Sequence, residues 1–151
     1  MTLLKITMTE LDKDVARVMG IYQSAAFDKN VDAFMRLYDP SVLVFDGWGV
    51  WANEGAPAWR RAVEGWFTSL GTERVKVSFE DVQAWVGNGV SSVSAIVTYA
   101  AVATPGAAPH RTMQNRATWV LRTVGHVPRI VHEHTSAPLG FEDMKAILVR
   151  A

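Results

Sequence analysis

The spacing of the apolar residues changes at Gly71, and this change constrains the fold more than any other feature of the sequence. Before Gly71, apolar residues recur at the three- and four-residue intervals of amphipathic helices. After it, segments rich in valine, threonine and aromatic residues are typical of strands. Turn signals such as Gly87-Asn88-Gly89 separate them, so neighbouring strands are expected to pair antiparallel. The four predicted strands are Val75–Val86, Val90–Val102, Arg111–Thr123 and Pro128–Ser136.

Helices and one short strand are predicted for the first half of the chain. Capping residues, proline and glycine mark where each of these elements begins or ends. A last short helix is expected in the tail, over Phe141–Val149. The predicted elements are a helix capped by Thr9, with Glu10 and Asp12 in its first turn, that ends near Asp28-Lys29-Asn30; a helix from Val31 to Tyr38, stopped by Asp39-Pro40; a buried strand from Val42 to Asp46; and a helix from Gly55 to Gly71.

This order of elements predicts an α+β domain, with three N-terminal helices packed on one face of a curved, mostly antiparallel sheet. A long sheet bent around helices forms a cone, and its wide mouth is a natural ligand cavity. With 151 residues and no internal repeat or linker, the chain is expected to form a single domain over residues 1–151. Apolar residues on both faces of Val90–Val102 indicate a sheet covered on both sides, and hence a homodimer through its convex face.

Charge and composition exclude several classes of function. Fifteen basic and fifteen acidic residues cancel, which removes the positive footprint expected of a protein that binds nucleic acid or a membrane surface. The absence of cysteine excludes disulfides and thiolate metal ligands. No segment is long enough to span a bilayer, and the N-terminus lacks the pattern of a secretory signal. A cytoplasmic location is therefore expected.

A pair of histidines near the C-terminus suggests a pocket wall. His132 and His134 are separated by one residue on the last predicted strand, so both should point to one face and Glu133 to the opposite, convex face. The imidazoles could act as acid/base groups, with His132 as a catalytic candidate, or form hydrogen bonds that order the wall. They could also ligate a metal ion, but a third ligand could come only from Asp46 or His110. We therefore predict no metal site and no cofactor.

The closing motifs carry a family resemblance. They are Pro109-His110-Arg111-Thr112 through Arg116-Ala117-Thr118-Trp119, and then Val131-His132-Glu133-His134-Thr135-Ser136-Ala137-Pro138. With the order of elements, they resemble the nuclear transport factor 2-like (NTF2-like) superfamily, in particular SnoaL-like proteins and the association domain of calmodulin-dependent protein kinase II. The resemblance covers nearly the whole chain and departs at Val127-Pro128, where relatives usually carry an aromatic residue. It implies either a small-molecule pocket or a non-catalytic association domain.

The first half also resembles the ketosteroid isomerases of the same superfamily. These enzymes place a tyrosine on the first helix and a general-base aspartate after the first strand, and Tyr22 and Asp46 stand at the matching places. They also use a second, protonated acid on a later strand, whereas the matching stretch here, Asn115–Val120, has no carboxylate. The resemblance implies a proton transfer, as in isomerisation, dehydration or cyclisation, with Asp46 as base and Tyr22 or a histidine as donor. A turn aspartate and a core tyrosine are the alternatives.

A cation is predicted for the pocket from the strand Arg111–Thr123. Gln114, Arg116 and Thr118 share one face of this strand. If that face looks into the cone, the planar guanidinium of Arg116 suits a carboxylate on a ligand. The alternative is an internal ion pair with Asp46 or Glu133.

Two tryptophans complete the predicted pocket. Trp48 and Trp51 lie in a glycine-containing loop, where they could touch a ligand together with His134. The expected ligand is a small apolar or carboxylate-bearing molecule. The sequence thus predicts a small-molecule-binding protein, with a cofactor-free isomerase, dehydratase or cyclase as its most specific form.

Overall fold

The computed structural model describes residues 4–6 and 12–151, which form helices on a seven-stranded sheet. The strands lie in the order β1-β4-β5-β6-β7-β2-β3, and all neighbours pair antiparallel except β2 and β7. The predicted α+β class with a mostly antiparallel sheet is confirmed. None of the described helices is long and apolar enough to cross a membrane. The elements are β1 (Leu4–Ile6), α1 (Lys13–Asp28), α2 (Val31–Met35), β2 (Tyr38–Phe45), β3 (Asn53–Glu54), α3 (Ala56–Ser69), β4 (Arg74–Val86), β5 (Val90–Val102), β6 (Arg111–Val124) and β7 (Val127–Ser136).

The four C-terminal strands fall within one residue of their predicted bounds. The tight turn between β4 and β5 shows why this part is easy to predict. Gly89 adopts a φ of 82°, which costs a glycine little, and the backbone N–H of Gly87 donates to the carbonyl of Val90 at 2.9 Å. Such local chemistry fixes both the turn and the register of the strands beside it.

The first helix begins later than the sequence predicts. Asp12 is its N-cap, and its Oδ1 accepts hydrogen bonds from the backbone N–H groups of Asp14 at 2.9 Å and Val15 at 3.4 Å. The placement of Asp12 inside the first turn is therefore wrong, because its carboxylate satisfies N–H groups that the helix leaves unpaired. Thr9 and Glu10 lie outside the described residues.

This cap gives a direct test of the new helix start. Asp12→Ala should lower the free energy of unfolding by about 1 kcal/mol, since two backbone N–H groups lose their acceptor. Urea denaturation followed by circular dichroism measures the change. Asp14→Ala removes the same charge but leaves the cap, and it should cost clearly less. Equal losses in the two variants would show that charge, rather than capping, matters at this end.

The second helix is shorter than expected, and the strand after it is longer. The helix ends at Met35, and β2 begins at Tyr38, so Asp39 and Pro40 lie within the strand instead of ending the helix. Pro40 is tolerated because the pairing of β2 with β7 is irregular between Tyr38 and Leu43.

The tail does not form the predicted helix. It makes a turn closed by an isolated bridge between Leu139 and Ala146. The carbonyl of Leu148 then accepts a hydrogen bond from the backbone N–H of Gln114 at 2.6 Å. Since β7 ends at Ser136 opposite Arg116, the tail covers the exposed edge of β6 beyond that point, and this pairing replaces the helix.

The core fills the space between one face of the sheet and the helices, and its centre is aromatic. Phe34 is fully buried, and its ring centroid lies 4.7 Å from that of Tyr22 and 5.6 Å from those of Tyr38 and Phe67. Large rings packed at tilted angles fill this end of the interior and leave no cavity between them. The open space therefore lies further along α3, next to Trp66.

Candidate functional site

The side chains that reach the interior are set by the pairing of β6 and β7. Trp119 lies opposite Glu133 and Ala117 opposite Thr135, and all four are buried on the face that the helices cover. This face is called the inner face below, and the opposite one the outer face. The prediction that Glu133 belongs to the convex surface is wrong.

A β-bulge explains the reversal. Leu121 pairs with Ile130, whereas Val120 pairs with His132, so Val131 is an extra residue in β7. Ile130 is fully buried on the inner face. Regular alternation from Ile130 would place His132 and His134 inside, but the bulge shifts the phase and sends both to the outer face.

The two histidines therefore do not line the central cavity. His132 Nδ1 lies 2.8 Å from the carbonyl oxygen of Leu43, a contact in which the ring N–H donates. The ring of Phe45 packs edge-on against His132 and His134, with centroids 5.1 and 5.5 Å away. This geometry supports the view that His132 orders the end of the strand. In residues 4–6 and 12–151, no three His, Asp or Glu side chains are grouped closely enough to hold a metal ion.

The predicted binding strip on β6 also faces outward. Arg116 and Thr118 are exposed, and Arg116 Nε donates to Ser136 Oγ at 3.2 Å. Gln114 Nε2 donates to Thr98 Oγ1 at 3.0 Å on the same face. Arg116 is therefore not the cation of the pocket, and it forms neither of the ion pairs considered for it.

The opposite strip of β6 borders a cavity of about 490 Å³ between the sheet and α3. Its mouth opens beside the loop after β2, and it continues inward to a narrower space of about 110 Å³. The mouth is mostly apolar, whereas the inner end is rich in hydroxyl, amide and carboxyl groups. Residues at the mouth include Leu70 and Arg111, those at the inner end include Tyr22, Asn115, Glu133 and Thr135, and those that border both include Asp46, Trp48, Trp66, Tyr99 and Met113.

Asp46 lies on the cavity wall, directly after β2. Its Oδ1 accepts a hydrogen bond from Thr135 Oγ1 at 2.9 Å, and that hydroxyl accepts one from the Gly47 N–H at 3.0 Å. Burial raises the pKa of the Asp46 carboxyl, while the Thr135 hydroxyl and the Gly47 N–H act in the opposite direction. The side chain is thus a held, partly desolvated carboxyl group that borders open space.

Two tyrosines form a hydroxyl pair at the inner end. The hydroxyl oxygens of Tyr22, on α1, and Tyr99, on β5, are 3.4 Å apart. Burial raises the pKa of both phenols, so both stay protonated at neutral pH. The amide of Asn115 also borders this space, and its buried Oδ1 has no hydrogen-bond partner among residues 4–6 and 12–151. These groups can offer hydrogen bonds to a bound molecule.

Glu133 is the functional candidate that the sequence did not predict. Only 2% of it is exposed, and its Oε1 accepts hydrogen bonds from Tyr38 Oη at 2.7 Å and Trp119 Nε1 at 2.8 Å. Burial raises the pKa of the Glu133 carboxyl to about 7, and the negative charge of Asp46 adds to this, against the two hydrogen bonds. A carboxyl group that keeps its proton up to about neutral pH therefore lies in the same cavity as Asp46.

The loop tryptophans occupy different surroundings. Trp48 borders the cavity mouth, whereas Trp51 is 98% exposed and does not reach it. Trp51 borders a second groove of about 440 Å³, together with Trp48, Asp46, Phe45 and His134. Trp48 therefore borders both the cavity and the groove, whereas Trp51 and His134 border the groove alone.

The structure brings Asp46, Tyr22 and Trp48 to one cavity and leaves the other predicted site residues outside it. Tyr99, Asn115 and Glu133 join the site instead. A seven-stranded, mostly antiparallel sheet with helices on one face and a polar-ended cavity between them is an NTF2-like domain. Within this class, the chain belongs to the SnoaL-like domain family, whose sequence profile matches residues 15–140.

Solved structures confirm this fold. An NTF2-like protein of unknown function from Pseudomonas putida KT2440 superposes with a TM-score of 0.80 at 18% identity, covering 97% of this chain and 99% of that one. A protein from Xanthomonas campestris, proposed to be a calcium/calmodulin-dependent protein kinase II association domain, gives 0.72 at 14%, covering 91% and 95%. A proposed dehydratase from Streptomyces avermitilis gives 0.70 at 16%, covering 85% and 97%. Comparison with proteins of curated function finds no match.

Proposed function

We propose that the protein binds a small, largely apolar molecule in the cavity and catalyses a proton transfer on it, as an isomerase, dehydratase or cyclase that needs no cofactor. The observation that carries this proposal is the pair of carboxyl groups in one cavity, Asp46 and Glu133, which differ in their environments. Two carboxyl groups whose surroundings separate their pKa values are suited to act as base and acid.

The proposed reaction begins at a carbon next to a carbonyl group. Asp46 accepts the proton as the C–H bond breaks, and the electron pair moves onto the carbonyl oxygen to form an enolate. Hydrogen bonds from the Tyr22–Tyr99 pair or from protonated Glu133 stabilise that oxygen. Asp46 then returns the proton to a different carbon, or the enolate expels a leaving group. In this mechanism Glu133 supplies, from β7, the second acid that the sequence lacks on β6.

The proposed dehydratase from Streptomyces avermitilis shares this fold, which is consistent with this reaction class. We further propose that the sheet curves around the cavity as a cone. The largely apolar mouth favours a ring or chain of similar size as the ligand body.

Self-association stays a prediction beside this function. The outer face carries half-buried apolar side chains between polar ones, which would suit a homodimer through the sheet or a non-catalytic association domain. Light scattering tests it, and a strictly monomeric protein would contradict it. The apolar side chains concerned are Leu43, Phe45, Ile96 and Val120.

Exchange of carbon-bound protons in D₂O tests the proposed chemistry without knowledge of the natural substrate. We expect the protein to accelerate deuterium exchange next to the carbonyl of cyclic ketones such as 2-tetralone, with a rate that saturates as the ketone concentration rises. NMR follows the loss of the proton signal. A panel of one- to three-ring ketones that binds without any accelerated exchange would contradict catalysis and leave a binding protein.

A further inference from the structure

Arg111 is the cation at the mouth of the cavity. It is the first residue of β6, and it shares the inner phase of that strand with Met113 and Asn115. Among the described residues that border the cavity and its inner end, it alone carries a positive charge. The cation that the sequence predicts at Arg116 is therefore supplied five residues earlier, on the opposite face of the strand.

A carboxylate positions this guanidinium. Glu73 Oε2 accepts a hydrogen bond from Arg111 Nη2 at 2.6 Å, and Glu73 Oε1 lies 2.9 Å from His110 Nε2. The Glu73 side chain is 27% exposed and the Arg111 side chain is 62% exposed, so the ion pair lies where the mouth of the cavity meets the solvent. The hydrogen bond engages one corner of the guanidinium, and Arg111 Nε and Nη1 make no hydrogen bond with any residue that the structure describes. Glu73 thus orients the Arg111 side chain and leaves N–H donors of its guanidinium for a ligand.

The distance along β6 sets the size of molecule that could use both ends of the cavity. Arg111 and Asn115 are four residues apart, which is about 13 Å along a strand at about 3.3 Å per residue. The wall between them includes Met113, Tyr99 and Trp66, which offer apolar surface. A fused two- or three-ring body fits such a spacing.

We propose that Arg111 binds a carboxylate at the outer end of the ligand, so that the substrate is an apolar ring compound with a hydrogen-bonding group at its inner end and an anionic group at the mouth. This proposal rests on the proposed function only where it places the reacting, hydrogen-bonding group of the ligand at the inner end of the cavity. Arg111 Nη2 has a second hydrogen beside the one that Glu73 binds, and with the adjacent N–H of the guanidinium it forms the planar fork that matches a carboxylate. A singly charged group is favoured over a phosphate dianion because Glu73 and Asp46, which flank the mouth, repel additional negative charge.

Matched binding probes test this assignment without any reaction. Isothermal titration calorimetry compares naphthalene-2-acetate and phenanthrene-2-acetate with their uncharged primary amides, and the methyl resonance of Met113 reports on binding in the cavity. We expect the acetates to bind about fivefold more tightly than the amides, which is the upper range for a contact with a largely exposed guanidinium. Arg111→Gln should remove that preference, and Arg111→Lys should keep part of it.

Arg116→Gln is the matched control, since it removes the same charge from the same strand on the outer face and should leave the preference intact. Thermal unfolding of each variant checks the fold. A preference that survives Arg111→Gln, or that is lost equally in Arg116→Gln, would overturn the proposal, and so would failure of all four probes to bind. Because binding is measured apart from exchange, a selective but inactive protein would refute only the proposed reaction.

Discussion

Asp46→Asn is expected to reduce the rate of protein-catalysed proton exchange by about a thousandfold, which is the usual contribution of a positioned general base. An amide has almost the same shape as the carboxyl group, and its oxygen can still accept the hydrogen bond from Thr135 Oγ1. It cannot accept a proton from carbon at neutral pH. The loss should therefore fall on the catalytic rate, while the affinity for a ketone probe changes little.

The measurement is deuterium exchange of 2-tetralone by NMR, at saturating ketone and across pH. Exchange by the wild type should rise as the Asp46 carboxyl ionises, at a pH above that of an ordinary aspartate, because burial raises its pKa. Asp14→Asn, an exposed Asp-to-Asn change on α1, should leave both the rate and the pH profile unchanged. Full activity in Asp46→Asn would rule out Asp46 as the base.

The sheet is predictable from the sequence because its information is local. The turn at Gly87-Asn88-Gly89 and the alternation in Val90–Val102 specify two strands and their register without reference to the rest of the chain. The short strands β1 and β3 lack such signals. Their pairing depends on contacts with β4 and β2 that only the folded chain provides.

The site is less predictable because a single extra residue decides it. Asp46 and Tyr22 follow from their places in the order of elements, and both border the cavity. The bulge at Val131 leaves no clear mark in the sequence. Because of it, Glu133 and Thr135 lie on the inner face of β7, and the two histidines lie on the outer face. An error of one residue in a strand moves every later side chain to the other face. This explains why His132 and His134 were predicted to line the pocket. On β6, which pairs with β5 without a bulge, the predicted face was the wrong one, so Asn115 and Arg111 border the cavity and Arg116 does not.

Glu133→Gln should make the protein more resistant to unfolding at alkaline pH and remove much of the pH dependence of its stability. The variant keeps an oxygen that can accept from Tyr38 and Trp119 and adds no charge to the buried site. In the wild type, folding raises the pKa of this carboxyl from its ordinary value of 4.5 to about 7. The native state therefore holds the proton more firmly than the unfolded chain does.

The direction of the effect follows from proton linkage. Between pH 4.5 and pH 7 the native protein binds more protons than the unfolded chain, so the free energy of unfolding falls as pH rises, and the fall is complete above about pH 7. A shift of this size corresponds to about 3 kcal/mol at about 1.4 kcal/mol per pKa unit. Urea unfolding at pH 4 and pH 8 should thus show the difference in stability between Glu133→Gln and wild type moving by about 3 kcal/mol in favour of the variant. Glu54→Gln, an exposed change of the same type, should follow the wild type at both pH values. A difference between Glu133→Gln and wild type that is the same at pH 4 and pH 8 would mean that folding does not raise the pKa of the Glu133 carboxyl.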